Sequence, residues 1–510
     1  MLCNARFGMT ALIFVAACGR SPRTVPDSNW SDTDAALPDA TPVNICKVQV
    51  DDNAVGMCSA VAPPNSFEPE LQWSWTGPDG EIYSIVTPLV ANLTDDNADG
   101  AIDLCDTPDV VVVAMQGAGQ PRTPGHIYLL NGKTGLQELK IATTVDATVT
   151  PALGDLDHDG VAEIVTVDPE GRLYAFDHLG AVKFGPAGQW AGDWYSGAIA
   201  LADLDHDGEV EIIGGNTVFN HTGSVKWTAA STQANWNATT IADLDGDGLQ
   251  EVVLGAAAYH ADGSLYWMTD LSPGYPQVAN LDDDPQPEIL LTNINGLSVI
   301  EHTGVVKYRD KRPTNVAPNV TAWIRPATIH DFDGDGKAEY AMSSASNYTL
   351  YNADATIRWS APVLDGSGIA AGTAFDFLGD GKAEAMYADE TSMFVFNELG
   401  QAILTMPRSS GTLTEYPVVA DIDNDGSAEI VVVSNPYPGR PVSPTVQVIR
   451  DKMDRWIQAR RIWNQHTYHV TNVREDGTIP RHEVPSWQRL NTFRTNAQIN
   501  SAGVCQPPVE

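Results

Sequence analysis

GDLDHDGVAEIV, residues 154–165, decides the fold. Asp155, Asp157 and Asp159 stand at alternate positions, Gly160 permits a sharp reversal, and Glu163 closes the acidic unit. Ile164, Val165, Thr166 and Val167 follow at once, a β-branched run that reads as a strand and not as a helix. The unit is therefore a charged connection feeding a β-strand.

It recurs along the chain. LADLDHDGEVEII supplies Asp203, Asp205, Asp207 and Glu211; IADLDGDGLQEVVL supplies Asp243, Asp245, Asp247 and Glu251. IHDFDGDGKAEYAM supplies Asp331, Asp333, Asp335 and Glu339; VADIDNDGSAEIVVV supplies Asp421, Asp423, Asp425 and Glu429. Three copies are degenerate. One holds Asn280, Asp282, Asp284 and Glu288, with Pro285 in the place of the glycine. Another holds Asp95, Asn97, Asp99 and Asp103. The last keeps Asp376, Asp380 and Glu384 but has Leu378, which offers no oxygen. From Asp155 to Asp421, six steps cover 266 residues, about 44 per repeat, the length of one four-stranded propeller blade.

A hairpin signature follows each loop: LYAFDHLGAVKF (173–184), VFNHTGSVKW (218–227), YHADGSLYW (259–267), VIEHTGVVKY (299–308), LYNADATIRW (350–359) and VFNELGQAIL (395–404). Each is a β run, a turn of Asn, Asp, His or Gly, and a second run that usually ends in an aromatic. One repeat is thus strand A, acidic loop, strand B, strand C, turn, strand D. The expected fold is all-β: a single propeller of four-stranded blades, eight with seven as the fallback, and acidic loops between strands A and B. ELQWSWTG (70–77) reads as an orphan strand D that pairs with the last blade and closes the ring, a place for which WIQARRIW (456–463) competes.

The spacing suits calcium, a hard cation that takes six to eight oxygens. Side chains at positions 1, 3 and 5 converge over the glycine at position 6. The position 7 carbonyl, Val161 in the first copy, and the position 9 acid complete the shell. Helix–loop–helix calcium sites share positions 1 to 6 but need a helix where this chain has a strand. Metal-free acidic turns would leave several carboxylates repelling one another in every copy.

The DxDxDGxxEI strings resemble the FG-GAP/VCBS repeats of integrin-α-type β-propellers, over roughly residues 70 to 470. The resemblance implies that fold and bound calcium; it says little about activity. The tail RRIWNQHTYHVTNV…GTIP…W…NTFRTNAQ and the N-terminus look like parts of exported bacterial lipoproteins that carry such repeats.

Composition agrees with export. The 510 residues hold 66 acids against 29 Lys plus Arg, a net charge of −37. Nucleic acids and anionic membrane surfaces are poor partners for such a chain. Residues 1–17 read as a signal peptide ending at VAAC (15–18), with Cys18 as the lipidation site. Residues 18–44 form a polar tether, 45–69 a Cys-containing lead-in, 70–470 the propeller, and 471–510 a tail packed on it. The expected location is a lipid anchor in a bacterial outer membrane, periplasmic or at the cell surface. Cys46, Cys58, Cys105 and Cys505 then remain for two disulfides, and three pairings are open. Cys46–Cys58 and Cys105–Cys505 are the expected ones.

Function is less legible, because propellers host many activities. The expectation is a calcium-stabilised, tethered, monomeric binding or adhesion protein for a carbohydrate or protein ligand. The D–A connections carry Trp190, Trp194, Trp236, Tyr275, Trp323 and Tyr416, candidates for a ligand platform on the face opposite the calcium loops. The alternative is a polysaccharide lyase or another sugar-converting propeller enzyme. No GxSxG, HExxH or phosphate-cradling glycine loop is present. No constellation for holding a quinone stands out either. His466 and His469, with Arg460, Arg461, Arg474, Arg481, Arg489 and Arg494, are the tail groups from which an active site would have to be built.

Overall fold

The computed structural model describes residues 46–48, 56–57, 60–500 and 503–506, apart from interruptions at 118–119, 193, 231–237, 283, 314–322, 345, 367–368 and 441. Cys18, Cys58 and Trp236 lie outside the described residues, as does the side chain of Cys505.

Eight four-stranded antiparallel sheets form the blades of a propeller. Blade 2 shows the plan: strands A to D are Ala152–Gly154, Glu163–Val167, Leu173–Phe176 and Val182–Phe184. Blade 1 begins at Leu89–Ala91, and blades 3 to 8 at Ile199–Ala202, Thr240–Ala242, Gly274–Ala279, Thr328–His330, Thr373–Phe375 and Val418–Ala420. In the first blade Val145–Asp146 also pairs with the start of the third strand, at Pro124 and Gly125. Strands A and B are buried almost throughout, whereas strand D alternates between exposed and half-buried. The period of two thus survives only at the rim.

Blade 8 takes its strand D from the other end of the chain. Pro69–Trp75 pairs antiparallel with Val446–Asp451, Glu70 opposite Arg450 and Trp75 opposite Val446. ELQWSW therefore closes the ring, as its hairpin-like sequence implies, and residues 456–463 lie elsewhere.

Strand D tryptophans latch neighbouring blades together. Trp227 Nε1 donates to the Ala261 carbonyl at 2.9 Å, Trp267 Nε1 to His302 at 2.8 Å, and Trp73 Nε1 to Gly132 at 2.6 Å. Each ring lies on the glycine of its neighbour's C–D turn. A Cβ at Gly263 would stand 2.8 Å from Trp227, and one at Gly304 2.7 Å from Trp267. Both glycines also have positive φ, so ring and turn demand the same residue.

The tail spans the hub and touches the inner strand or its ends in every blade. Trp463 exchanges two backbone hydrogen bonds with Val90; Leu153 N–H donates to the Asn464 carbonyl, and Leu201 N–H to Gln465 Oε1. Thr467 Oγ1 donates to the Thr239 carbonyl, Asn280 N–H to Asn491 Oδ1, and Phe493 pairs with Ile329. Thr373 Oγ1 donates to Arg494, and Asn496 Nδ2 to Val419. Innermost strands have one unpaired edge, and the tail bonds to backbone groups along it.

The disulfide expectation is corrected here. Cys46 is bonded to Cys105, their Cα atoms 4.8 Å apart, so neither Cys46–Cys58 nor Cys105–Cys505 forms. Cys105 sits in the long A–B connection of blade 1, and Leu104 N–H donates to the Cys46 carbonyl at 3.0 Å beside it. Fold geometry, not closeness in sequence, brings the pair together.

Candidate functional site: the ring of acidic loops and its groove

In every blade the A–B loop begins on the last residue of strand A or just after it and ends on an acid that opens strand B. Glu163 is cross-strand partner to Gly154, Glu251 to Ala242, and Glu429 to Ala420. This first rung of the ladder fixes the acid's backbone. Its carboxylate then reaches back to the loop's second residue: Glu163 Oε2 accepts from Leu156 N–H at 2.7 Å, and Glu211, Glu251, Glu288, Glu339, Glu384 and Glu429 repeat the bond.

The first acid folds the turn. Asp155 Oδ2 accepts from Gly160 N–H at 3.1 Å, and the same bond links Asp203 to Gly208, Asp243 to Gly248, Asp331 to Gly336, Asp376 to Gly381 and Asp421 to Gly426. Gly160 has φ 89°, with nothing within 4 Å of a would-be Cβ, so glycine is there for its backbone. Pro285 cannot take that conformation, and in its loop Asn280 Nδ2 donates to the Asp284 carbonyl instead. In the first copy Val161 N–H donates to Asp159 Oδ1 at 2.9 Å.

Oxygens are thereby gathered. One ligand atom each from Asp155, Asp157 and Asp159 lie within 4.8 Å of one another, as do those of Asp203, Asp205 and Glu211, and of Asp243, Asp245 and Asp247. Several are buried without any hydrogen-bond partner: Asp155 Oδ1, Asp203 Oδ1, Asp205 Oδ1, Asp333 Oδ1, Asp423 Oδ1 and Glu429 Oε1. Burial pushes Glu163, Glu251, Glu339 and Asp421 up to about 7. Glu429 rises well above the carboxylate range, first through burial and then through Asp421 and Asp423. All-oxygen donor sets with orphaned carboxylate atoms fit a hard divalent cation.

Blade 1 departs from its expected loop. Gly100 N–H donates to Asp95 Oδ2, and Asp99 N–H to Asn97 Oδ1, so the turn itself is preserved. The acid that opens strand B, however, is Asp109, whose Oδ2 accepts from Leu93 N–H at 2.9 Å. Asp103 instead accepts from Cys105 N–H beside the disulfide. An insertion after the turn displaces the acid that residue counting selected.

Sequence reading missed a second set of groups. In four blades a strand D cation enters the acidic loop. Lys183 Nζ contacts Asp157, Asp159 and Glu163; Lys226 Nζ lies 2.7 Å from Asp205 and 2.8 Å from Glu211. Lys307 pairs with Asp282, Glu288 and Glu301, and Arg358 with Asp333 and Glu339. Each precedes the strand D aromatic, in VKF, VKW, VKY or IRW, so the signal stood in the hairpin strings.

The same face carries a groove of about 760 Å³, where the loops of blades 5, 6 and 7 meet the tail. Asp282, Asp331, Asp354, Arg358, Trp487 and Arg489 are among its lining residues, a mixture of donors and acceptors. Its size falls in the ordinary range for small-ligand sites.

Other expected groups do not gather there. Trp190, Trp194, Tyr275, Trp323 and Tyr416 are at most 5 % exposed, so they are core, and the expectation of an aromatic platform fails for them. Trp194 Nε1 donates to buried Asp146, Tyr416 donates to the His466 carbonyl, and Trp190 covers Gly197 and Gly214. His466 is buried beside Thr87, its basicity suppressed by burial and by Arg494. His469 is buried against Glu483 at 2.6 Å. Arg460 donates to the carbonyls of Val470 and Val473, Arg461 to Glu475, and Arg481 to the His206 carbonyl. Of the tail histidines and arginines singled out from the sequence, Arg489 alone is among the groove's lining residues.

Comparison with known proteins supports the architecture. No family model matches the chain, and no curated protein matches it in sequence. The V. cholerae biofilm matrix protein Bap1 is similar in structure at 22% identity, with a TM-score of 0.73, covering 87% of this chain and 100% of that one. The Bacillus licheniformis rhamnogalacturonan lyase PL11 is similar at 18% identity and TM-score 0.53, covering 88% and 82%; the exotype rhamnogalacturonan lyase YesX is similar at 16% and 0.52, covering 88% and 82%. At these identities the likeness is one of fold: this chain is an all-β, eight-bladed propeller.

Proposed function

We propose that this protein is a calcium-clamped, lipid-anchored member of the FG-GAP/VCBS-like propellers that binds a carbohydrate on the face bearing its acidic loops. The groove of about 760 Å³ between blades 5 to 7 and the tail carries the reading, because carboxylates, an arginine pair and a tryptophan line one recess. Sugar hydroxyls donate and accept hydrogen bonds together, and such mixed walls serve them. Bound calcium would brace the acidic-loop face of the propeller and neutralise part of the −37 charge. The names of two similar folds, a biofilm matrix protein and a rhamnogalacturonan lyase, favour a polysaccharide over a peptide. The proposal moves the ligand from the face of the D–A connections, whose described aromatics are core.

A screen of soluble polysaccharides in calcium tests this, with Arg489→Ala and Asp354→Ala as groove variants; both residues are exposed. Binding lost in both, with an unchanged melting temperature, supports the groove. Binding untouched in both, or no polysaccharide bound, overturns it. Ultraviolet absorbance of new unsaturated products would make the protein a lyase.

A further inference from the structure

We propose that one strand D position decides which acidic loops take calcium: a lysine or arginine there substitutes for the ion, and an uncharged or acidic residue leaves the loop dependent on it. This rests on the calcium reading above and deepens it by assigning occupancy loop by loop.

The position is the residue before the strand D aromatic or leucine. It is Lys183, Lys226, Lys307 and Arg358 in blades 2, 3, 5 and 6, and Glu138, Tyr266, Ile403 and Gln72 in blades 1, 4, 7 and 8. Each cation bridges the loop's third and ninth positions, as Lys226 does between Asp205 and Glu211. A calcium ion needs those same oxygens and cannot share their centre with an ammonium or guanidinium group. Metal entry there would mean expelling a cation already held by two or three carboxylates.

Blade 8 is the counterexample. Gln72 Nε2 donates to Asp423 Oδ2 at 2.8 Å, but an amide brings no charge. Glu429 Oε1 is wholly buried and has no partner, whereas the same oxygen of Glu163, Glu211, Glu288 and Glu339 is held by the strand D cation; orphaned Asp oxygens occur in both kinds of loop. Burying carboxylates so is costly unless a cation joins them. Blade 4 falls between the two: His260 Nδ1 lies 3.0 Å from Glu251 Oε1, and Tyr266 stands where the lysine would be. A neutral imidazole can ligate a metal, whereas a lysine ammonium cannot.

The test is a count of bound calcium by equilibrium dialysis of the folded protein, with circular dichroism as the control on folding. The parent should bind no more than four equivalents. Gln72→Lys should lose one, Gln72→Glu should keep it, and Lys183→Met should gain one. Parent protein that binds no calcium refutes the calcium reading itself. A parent that binds calcium while Gln72→Lys and Lys183→Met leave the count unchanged, or that binds more than four equivalents, overturns this inference alone.

Discussion

Glu429→Gln should make the protein more stable without calcium and less responsive to it. The Glu429 side chain is wholly buried in blade 8; Oε2 accepts from Ile422 N–H at 2.9 Å, and Oε1 has no partner. Glutamine keeps an acceptor for Ile422 while removing a charge that burial, Asp421 and Asp423 all oppose. An unsatisfied buried polar group costs about 1–3 kcal/mol, and more for a charged one. In chelator the variant should therefore exceed the parent by roughly that amount. Calcium at about 5 mM acting on a site of ~10⁻⁴ M affinity contributes ~2 kcal/mol by mass action. The variant forfeits that increment, so the two proteins converge in calcium. Unfolding entropy of about 2.1 cal/mol/K per residue over roughly 440 residues makes 1 kcal/mol worth ~1 °C. Differential scanning calorimetry of both proteins in both conditions gives the four temperatures. A variant destabilised equally in calcium and chelator would show that Glu429 is ordinary core and the blade 8 cluster no cation site.

Further predictions follow from the same contacts. In chelator, stability should fall as pH rises from about 5 to 8, since Glu163, Glu251, Glu339 and Asp421 sit near 7 in the fold against ordinary values of 4.5 and 3.8, and a raised carboxylate pKa favours the folded state only below it. Melting temperatures that rise over that window would contradict the buried acids. Arg325→Met should cost about 3–5 kcal/mol in chemical denaturation, because it removes the cation 3.2 Å from fully buried Asp365 and leaves that carboxylate among the hydroxyls of Ser343, Tyr387 and Thr412; a loss below about 1 kcal/mol would refute an uncompensated buried charge. Trp227→Ala should cost about 2–4 kcal/mol by emptying the latch on Gly263, with the calcium count unchanged. Cys18→Ser should move the protein from the membrane to the soluble fraction; labelling by a fatty acid that persists in the variant would refute the anchor.

The blades were legible because their signal is local and repeated: an acidic loop closed by a glutamate that opens a β run, at one spacing in seven blades and with the turn glycine in six of those. The closing strand could be read for the same reason, since ELQWSW repeats the shape of GSVKW. The strand D cations stand in the same strings, each beside the aromatic that marks the end of its hairpin. What failed depended on distance in space. Cys105 meets Cys46 because blade 1 carries a long A–B connection, which no spacing rule anticipates. Asp109 replaces Asp103 because an insertion broke the count. Trp190 and Trp323 are buried in hydrophobic clusters of the core, and an aromatic in a connection looks alike in sequence whether it faces the core or water. The groove needs the tail laid against three blades, an arrangement with no local trace.

Thermal unfolding of the parent protein in millimolar calcium and again after chelation, at about pH 7.5, where the loop acids are ionising, weighs the whole scheme at once. A melting temperature several degrees higher in calcium, restored on adding the ion back after chelation, is the expected result; superimposable transitions would mean that the acidic loops stand without metal.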